Sequence, residues 1–467
     1  MQTLRVAVVG GGIAGLAAAL RLRDRSPVGT EITVYEQADV LGGKLRTGSL
    51  AGSALESGAE AFLFRDPAGG DSAAVALARR VGLGDALVHP APVPPALVVG
   101  GELRPVPRGT LMGVPSDLEQ LAGIAHPEVE RDRDDGRPLL GAGDDVAVGE
   151  LVRRRLGDDV VDRLVDPMLG GVYAGRADDL SLAVTMPGLA RAARTERTLV
   201  AAVRAALAAA PRPSNVPVFA TVAGGLTRLV AAVAEASGAR IRLNAPVREL
   251  SRTPRGWRLV VASGGEPEVV EADGVVLAVP ARPAARLLAK VDPAVADLVG
   301  VLNYASVALV SLALPAARLP ELSGFLVPAV EDMLVKAATF FTRKWPHLRR
   351  PDGVALVRVS VGRFGEEHLL RRSDDELVEG VLRDLAALLR TEVPVPLASH
   401  VQRWEEALPQ YAPGHLERVA AARTKLRSAY PTLALAGAGY DGVGIPLCVR
   451  SGEHAADDVL RALQDWS

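Results

Sequence analysis

Residues 4–20 read LRVAVVGGGIAGLAAAL, and the fold follows from them. Residues 4–9 are strand formers that run into a turn with Gly10, Gly12 and Gly15 at the spacing G-x-G-x-x-G, and the apolar run beyond predicts a helix. Twenty-one residues past Gly15 a second predicted strand, ITVY, ends at Glu36. Each part has its own task. Glycine closes the turn, lets main chain approach a pyrophosphate and lets helix pack on strand, while the acid accepts hydrogen bonds from a ribose. The order strand, glycine turn, helix, strand, acid predicts a Rossmann-type α/β domain. Its dinucleotide would lie on Gly10, Gly11, Gly12, Ile13, Ala14, Gly15, Glu36 and Gln37.

The next stretch specifies which dinucleotide. Residues 41–62 read LGGKLRTGSLAGSALESGAEAF, a glycine pair with a cation where a nicotinamide-only domain would proceed to its next helix and strand. This resembles the second signature of amine-oxidase-type flavoproteins, so the expected cofactor is FAD, with Gly43, Lys44, Gly58, Ala59, Glu60 and Ala61 added to its site. Only five of the 53 basic residues are lysine, which makes Lys44 stand out as a compact charge aimed at phosphate.

The far end of the chain returns to the cofactor. A predicted strand at 433–436 precedes glycines 437, 439, 442 and 444, and a helix opens near Ile445 and Pro446. Proline suits a first helical turn, and that terminus carries free N–H groups and partial positive charge. Gly444, Ile445 and Pro446 would therefore face the pyrimidine side of a reduced flavin. A nucleotide domain assembled from both ends makes the middle an insertion. The expected division is a FAD-binding domain at 1–90, 214–280 and 401–467, a mixed-sheet substrate domain at 91–116 and 281–400, and a helical insertion at 117–213. Within that insertion, residues 191–210 read as one amphipathic stretch ending at a proline-rich break, 211–217.

Composition bounds the function. The chain of 467 residues is 49% hydrophobic, enough for two or three domains with buried cores. A net charge of -2 supplies no basic field for nucleic acid. One cysteine, Cys448, gives neither a disulfide framework nor a thiol metal cluster, so no metal is expected. The chain enters a core strand by Leu4, which leaves no room for a secretion signal, and the longest apolar stretch, 304–314, is too short for a bilayer. The expectation is a cytoplasmic enzyme with no transmembrane segment and at most peripheral membrane contact.

Three further segments are more particular: PVPRGTLMGVP (105–115), DPMLGGVYAGRADDLS (166–181), and RWEEALPQYAPGHLERV (403–419) leading into GVGIPLCVRSG (442–452). With the flavin signatures they resemble, over the whole chain, the flavin-dependent porphyrinogen oxidases of the Gram-positive type, which form coproporphyrin III in haem biosynthesis. The resemblance implies removal of six hydrogens from coproporphyrinogen III by three hydride transfers to flavin N5. O2 would take the electrons and leave as hydrogen peroxide. Pyrrole nitrogens can release the protons, so no dedicated acid or base residue is expected. It also implies Val247 beside the adenine, Trp404 against the flavin, and the Gly171 carbonyl accepting from pyrrole N–H groups. Arginine forks match carboxylates, and Arg104 and Arg108 are the first candidates for the propionates. Trp404 and Tyr411 could equally be core aromatics, and His415 and Cys448 read as structural. Arg176 stands where the family usually has an acid, and is expected at the surface. A transient contact with a ferrochelatase is the implied protein partner. The alternatives are protoporphyrinogen IX oxidation, a flavin amine oxidase or carotenoid desaturase, and a non-catalytic porphyrin carrier.

Overall fold

The computed structural model describes residues 3–209, 216–262, 264–315 and 318–464. Strands from distant parts of the chain form a five-stranded parallel sheet in the order Arg240–Arg242, Glu31–Tyr35, Arg5–Val9, Gly274–Leu277, Leu433–Leu435. A parallel sheet is covered on both faces, and so its central strands are apolar without alternation. On one face Val6, Val8 and Val276 pack under the first helix (Ile13–Arg25) and the C-terminal helix (Ile445–Gln464). These helices touch backbone to backbone, since a Cβ on Gly452 would lie 2.0 Å from Ala14 O. On the other face Ala7, Val9 and Leu277 pack against Leu250, Trp257 and Leu259 of an antiparallel meander (Val247–Thr253, Gly256–Val261, Glu268–Ala272).

The second sheet has seven strands in the order Ala398–Gln410, Asn303–Leu314, Ala355–Val361, Val335–Phe340, Gly324–Leu326, Pro95–Val99, Glu102–Pro105. Only Gly324–Leu326 against Pro95–Val99 is parallel. The period of two sends Val310, Leu312, Phe325, Phe340 and Val359 to a core shared with helix Asp374–Leu389, whose start is closed by the Ser373–Glu376 capping box. Directly paired residues share a face. The pairs Gln402–Leu309, Leu309–Ser360, Ser360–Ala337, Ala337–Leu326, Leu326–Leu97 and Leu97–Arg104 therefore trace one row across the opposite face. Trp404 and Arg358 lie on that same face, which looks towards the first domain. The domain boundary drawn at 401 falls inside strand Ala398–Gln410, whose ladder with Asn303–Leu314 continues to Gln410.

The helical part differs from its sequence reading in two places. Residues 118–147 hold only two 3-10 turns, Leu118–Leu121 and Val129–Arg131, because DRDDGRPLLGAGDD (132–145) is too rich in Gly, Asp and Pro to sustain a helix. The stretch 191–210 is two helices, Pro187–Ala192 and Leu199–Ala209, separated because the Asp132 carboxylate takes the N–H groups of Leu199 and Val200 and starts a new helix there. Most of the proline-rich break, 211–215, lies outside the described residues. Ahead of helix Asp166–Tyr173 the chain makes a π turn, Val161–Val165, where Pro167 has no N–H to return to the preceding turn.

Candidate active site

The glycine turn is shaped by contacts a side chain would break. Gly10 adopts φ +111, and a Cβ there would sit 2.4 Å from Ala278 O; on Gly15 it would sit 1.9 Å from Gly10 O. Gly12 is different, with nothing within 4 Å of an added Cβ, so its bareness opens space above the helix start at Ile13. Glu36 is already oriented, since Oε2 accepts from Gly11 N at 2.7 Å and Oε1 from Ala38 N at 2.8 Å. Gln37 is exposed beside it. Ala245 N donates to Glu36 O at 2.8 Å, which brings Val247, at the start of the meander, to this end of the site.

Lys44 is stitched to the first turn through Gly42 N on Gly11 O at 2.9 Å. Its own carbonyl accepts from Ala59 N at 2.8 Å, and a Cβ on Gly58 would lie 2.1 Å from that carbonyl. The Lys44 ammonium has no ion pair among the described residues, and burial lowers its pKa. A buried cation without a counter-ion is costly unless an anion joins it.

The segment 56–60 is gripped by the seven-stranded sheet. Arg358 donates to Glu56 O at 2.7 Å and Gly58 O at 3.0 Å, and pairs with Glu60 at 2.8 Å. Glu60 also accepts from Lys344 at 2.7 Å and Trp345 Nε1 at 2.9 Å. Burial pushes the Glu60 carboxyl up, but Lys344 and Arg358 outweigh it and bring its pKa down to about 2. With both oxygens engaged, Glu60 anchors the segment, and what it offers a cofactor is main chain. Trp404 donates through Nε1 to Ser57 O at 2.6 Å, its ring edge against Gly58. Glu56 beneath is buried, accepts from Leu226 N at 2.6 Å, and is pushed up to about 7 by burial.

From the other end, Gly437 N donates to Ser451 Oγ at 2.9 Å and Gly444, at φ +116, has open space where a Cβ would be. The C-terminal helix starts at Ile445, and its contact with Ala14 sets that start beside the first helix. Cys448 is half-buried, and desolvation pushes its thiol up to about 11. Tyr411 is fully buried, donates to Ala438 O and packs on His415 at 4.9 Å; burial takes His415 down to about 4. The open Gly12, the preset Glu36 and the uncompensated Lys44 fit FAD. Gly10 to Gly15 and Lys44 would hold its phosphates, Glu36 a ribose, and the main chain of 58–61 with Trp404 and Gly444 to Pro446 its ring system.

Helix Asp166–Tyr173 stands on the same sheet face, two strands from Arg358. Gly171 is exposed, and a Cβ on it would be 3.1 Å from Leu326 Cδ2, so glycine sets how closely helix and sheet approach. The helix stops at Ala174, in the left-handed region at φ 50. A helix end leaves its last carbonyls without intrahelical donors. Here Gly170 O accepts from Ala174 N at 2.9 Å and Lys336 Nζ at 3.2 Å, and Tyr173 O from Gln410 Nε2 at 2.8 Å. Gly171 O receives no hydrogen bond among the described residues, and so it remains a free acceptor.

Arg176 is half-buried and ion-paired, where the sequence suggested a free surface residue. The left-handed turn at Ala174 folds it back, and its fork bridges Glu366 at 2.8 Å and Asp166 at 3.5 Å. Asp166 also accepts from Ala177 N at 2.8 Å, and Arg363, buried, reaches Val327 O at 2.7 Å and Glu366 at 3.4 Å. Arg104 lies in the row with Leu326 but on the edge strand, where it pairs with Glu102, which Arg390 shares. Arg108 is exposed in the loop after that strand, with no ion pair among the described residues. Lys336 escaped the sequence reading. The scarcity of lysine that drew notice to Lys44 applied equally to the lone lysine of LVKAATF, but nothing local says that this residue is buried.

A family model described as flavin containing amine oxidoreductase matches residues 13–460. A coproporphyrinogen III oxidase of Mycobacterium tuberculosis is 39% identical, covering 98% of this chain and 97% of its own length. That of Bacillus subtilis is 32% identical, with 98% of both chains covered. A solved structure of a provisionally named protoporphyrinogen oxidase from Exiguobacterium sp. 255-15 superposes with a TM-score of 0.85 at 30% identity, covering 99% of this chain and 100% of that one. The chain belongs to the flavin-containing amine oxidoreductases, among which it stands with the coproporphyrinogen III oxidases, and its cofactor is FAD.

Proposed function

We propose that this enzyme oxidises coproporphyrinogen III to coproporphyrin III, in the cytoplasm, and hands the product to a ferrochelatase through a transient contact. The end-to-end match to coproporphyrinogen III oxidases carries the reading. When bound, FAD supplies two-electron hydride acceptance, used three times per macrocycle, with O2 as final acceptor and hydrogen peroxide as its product. The chain's own residues position and shield. Arg358 and Trp404 fix the segment 57–60 against which the flavin ring would rest. The free Gly171 carbonyl would accept from pyrrole N–H groups, and Leu326 supplies an apolar wall beside it. Arg108 is available to a propionate at the rim. Protoporphyrinogen IX is the second reading, favoured by the Exiguobacterium relative. The test is the growth of porphyrin fluorescence and O2 consumption with each porphyrinogen at equal concentration. A preference for the four-acid substrate supports the proposal, and equal or reversed rates overturn it.

A further inference from the structure

We propose that Lys336 is the counter-ion for one carboxylate of the macrocycle, and so helps select a substrate by its acids; this rests on the porphyrinogen reading above. The strand Val335–Phe340 alternates faces, and Val335 belongs to the core shared with helix Asp374–Leu389. Val335 pairs with Val361 and Ala337 with Ser360, so Lys336 is the extra residue of a β-bulge. A bulge lets a strand re-aim one side chain without losing its register beyond. Here it turns Lys336 to the helix on the active-site face, its Nζ 3.2 Å from Gly170 O and one residue from the exposed, unpartnered Gly171.

The surrounding charges leave this ammonium uncompensated. Arg363 and Glu366 act on it directly, and ion pairs tie Arg176 and Asp166 into the same cluster. Both carboxylates are held by the arginines, so the cluster carries one positive charge in excess, and it sits on Lys336, whose residue is 5% exposed. Capping the helix does not explain a lysine at this point, since Gly170 O already accepts from Ala174 N at 2.9 Å. Burial, and then Arg363, lower the pKa of Lys336 to about 7, the direction expected for a cation waiting on an anion. A propionate reaching past Gly171 would complete the pair.

The test uses FAD-loaded wild type, K336M and K336R, titrated with coproporphyrin III and with its uncharged tetramethyl ester, and assayed with coproporphyrinogen III. K336M should weaken binding of the acid by roughly ten- to a hundredfold, the loss of one charge-assisted hydrogen bond, and leave the ester unchanged. Turnover should show the same loss in KM with kcat held, and K336R should recover most of it. Equal weakening of acid and ester, or unchanged affinity for the acid, would overturn the proposal and leave Lys336 as a structural cap. A fall in kcat with KM unchanged would overturn it in favour of a proton-transfer role. If K336M fails to retain FAD, K336Q keeps a donor to Gly170 O without the charge and carries the same comparison. Wild type that neither binds coproporphyrin III nor oxidises its porphyrinogen would sink the functional reading itself, whereas active wild type with indifferent variants would sink only Lys336.

Discussion

Glu60→Gln tests whether the seven-stranded sheet holds the flavin segment by charge. The carboxylate is surrounded by Lys344, Arg358 and Trp345, and its pKa falls from 4.5 to about 2. A shift of that size is worth about 3 kcal/mol of folded-state stability. Its folded value lies below the unfolded one, so the contribution is complete above pH 5 and drains away as the pH falls through the range down to 2. Glutamine keeps an acceptor but leaves the half-buried Lys344 and Arg358 without their anion, a loss of about 3 kcal/mol. Arg358 also holds Glu56 O and Gly58 O, so the loosening should reach the cofactor. Thermal unfolding and flavin release, followed by flavin fluorescence for both proteins at several pH values, give the answer. At pH 7 the variant should melt about 5 °C lower and shed flavin faster. Between pH 5 and pH 3 roughly 2 kcal/mol of the difference should close, because the unfolded wild-type chain then takes up a proton at this glutamate while the folded protein keeps it ionised. A difference that does not change with pH would refute the argument.

Three further outcomes follow from the same geometry. Lys44→Met should weaken FAD retention about tenfold, measured by dialysis and absorbance, yet raise the melting temperature of the flavin-free protein by removing an uncompensated buried charge. Gly12→Ala should leave flavin-free stability unchanged and lower flavin occupancy, whereas Gly15→Ala, with its Cβ 1.9 Å from Gly10 O, should lower both. Arg108→Ala should raise KM several-fold for coproporphyrinogen III with kcat unchanged, and unaltered kinetics would remove that exposed arginine from the site.

The sequence by itself determined what is written in contiguous residues. Gly10, Gly12, Gly15 and Glu36 specify a strand, a turn and an orienting acid through rules that act over a few peptide units, and so the nucleotide domain is legible at once, while its flavin came from the resemblance carried by residues 41–62. The segments around Gly171 and Trp404 pointed to a porphyrinogen by resemblance to relatives, without showing what those residues touch. Only the tertiary structure decided which side chains share a face. Arg176 reads as a surface residue until the left-handed Ala174 turns it onto Asp166 and Glu366. The break in 191–210 depends on Asp132, almost seventy residues away. Lys336 is one lysine in an alternating strand until the register places it in a bulge, between a helix from the insertion and a row of residues spanning seven strands. Which groups meet across a sheet is set by long-range pairing and burial, and no local pattern encodes those.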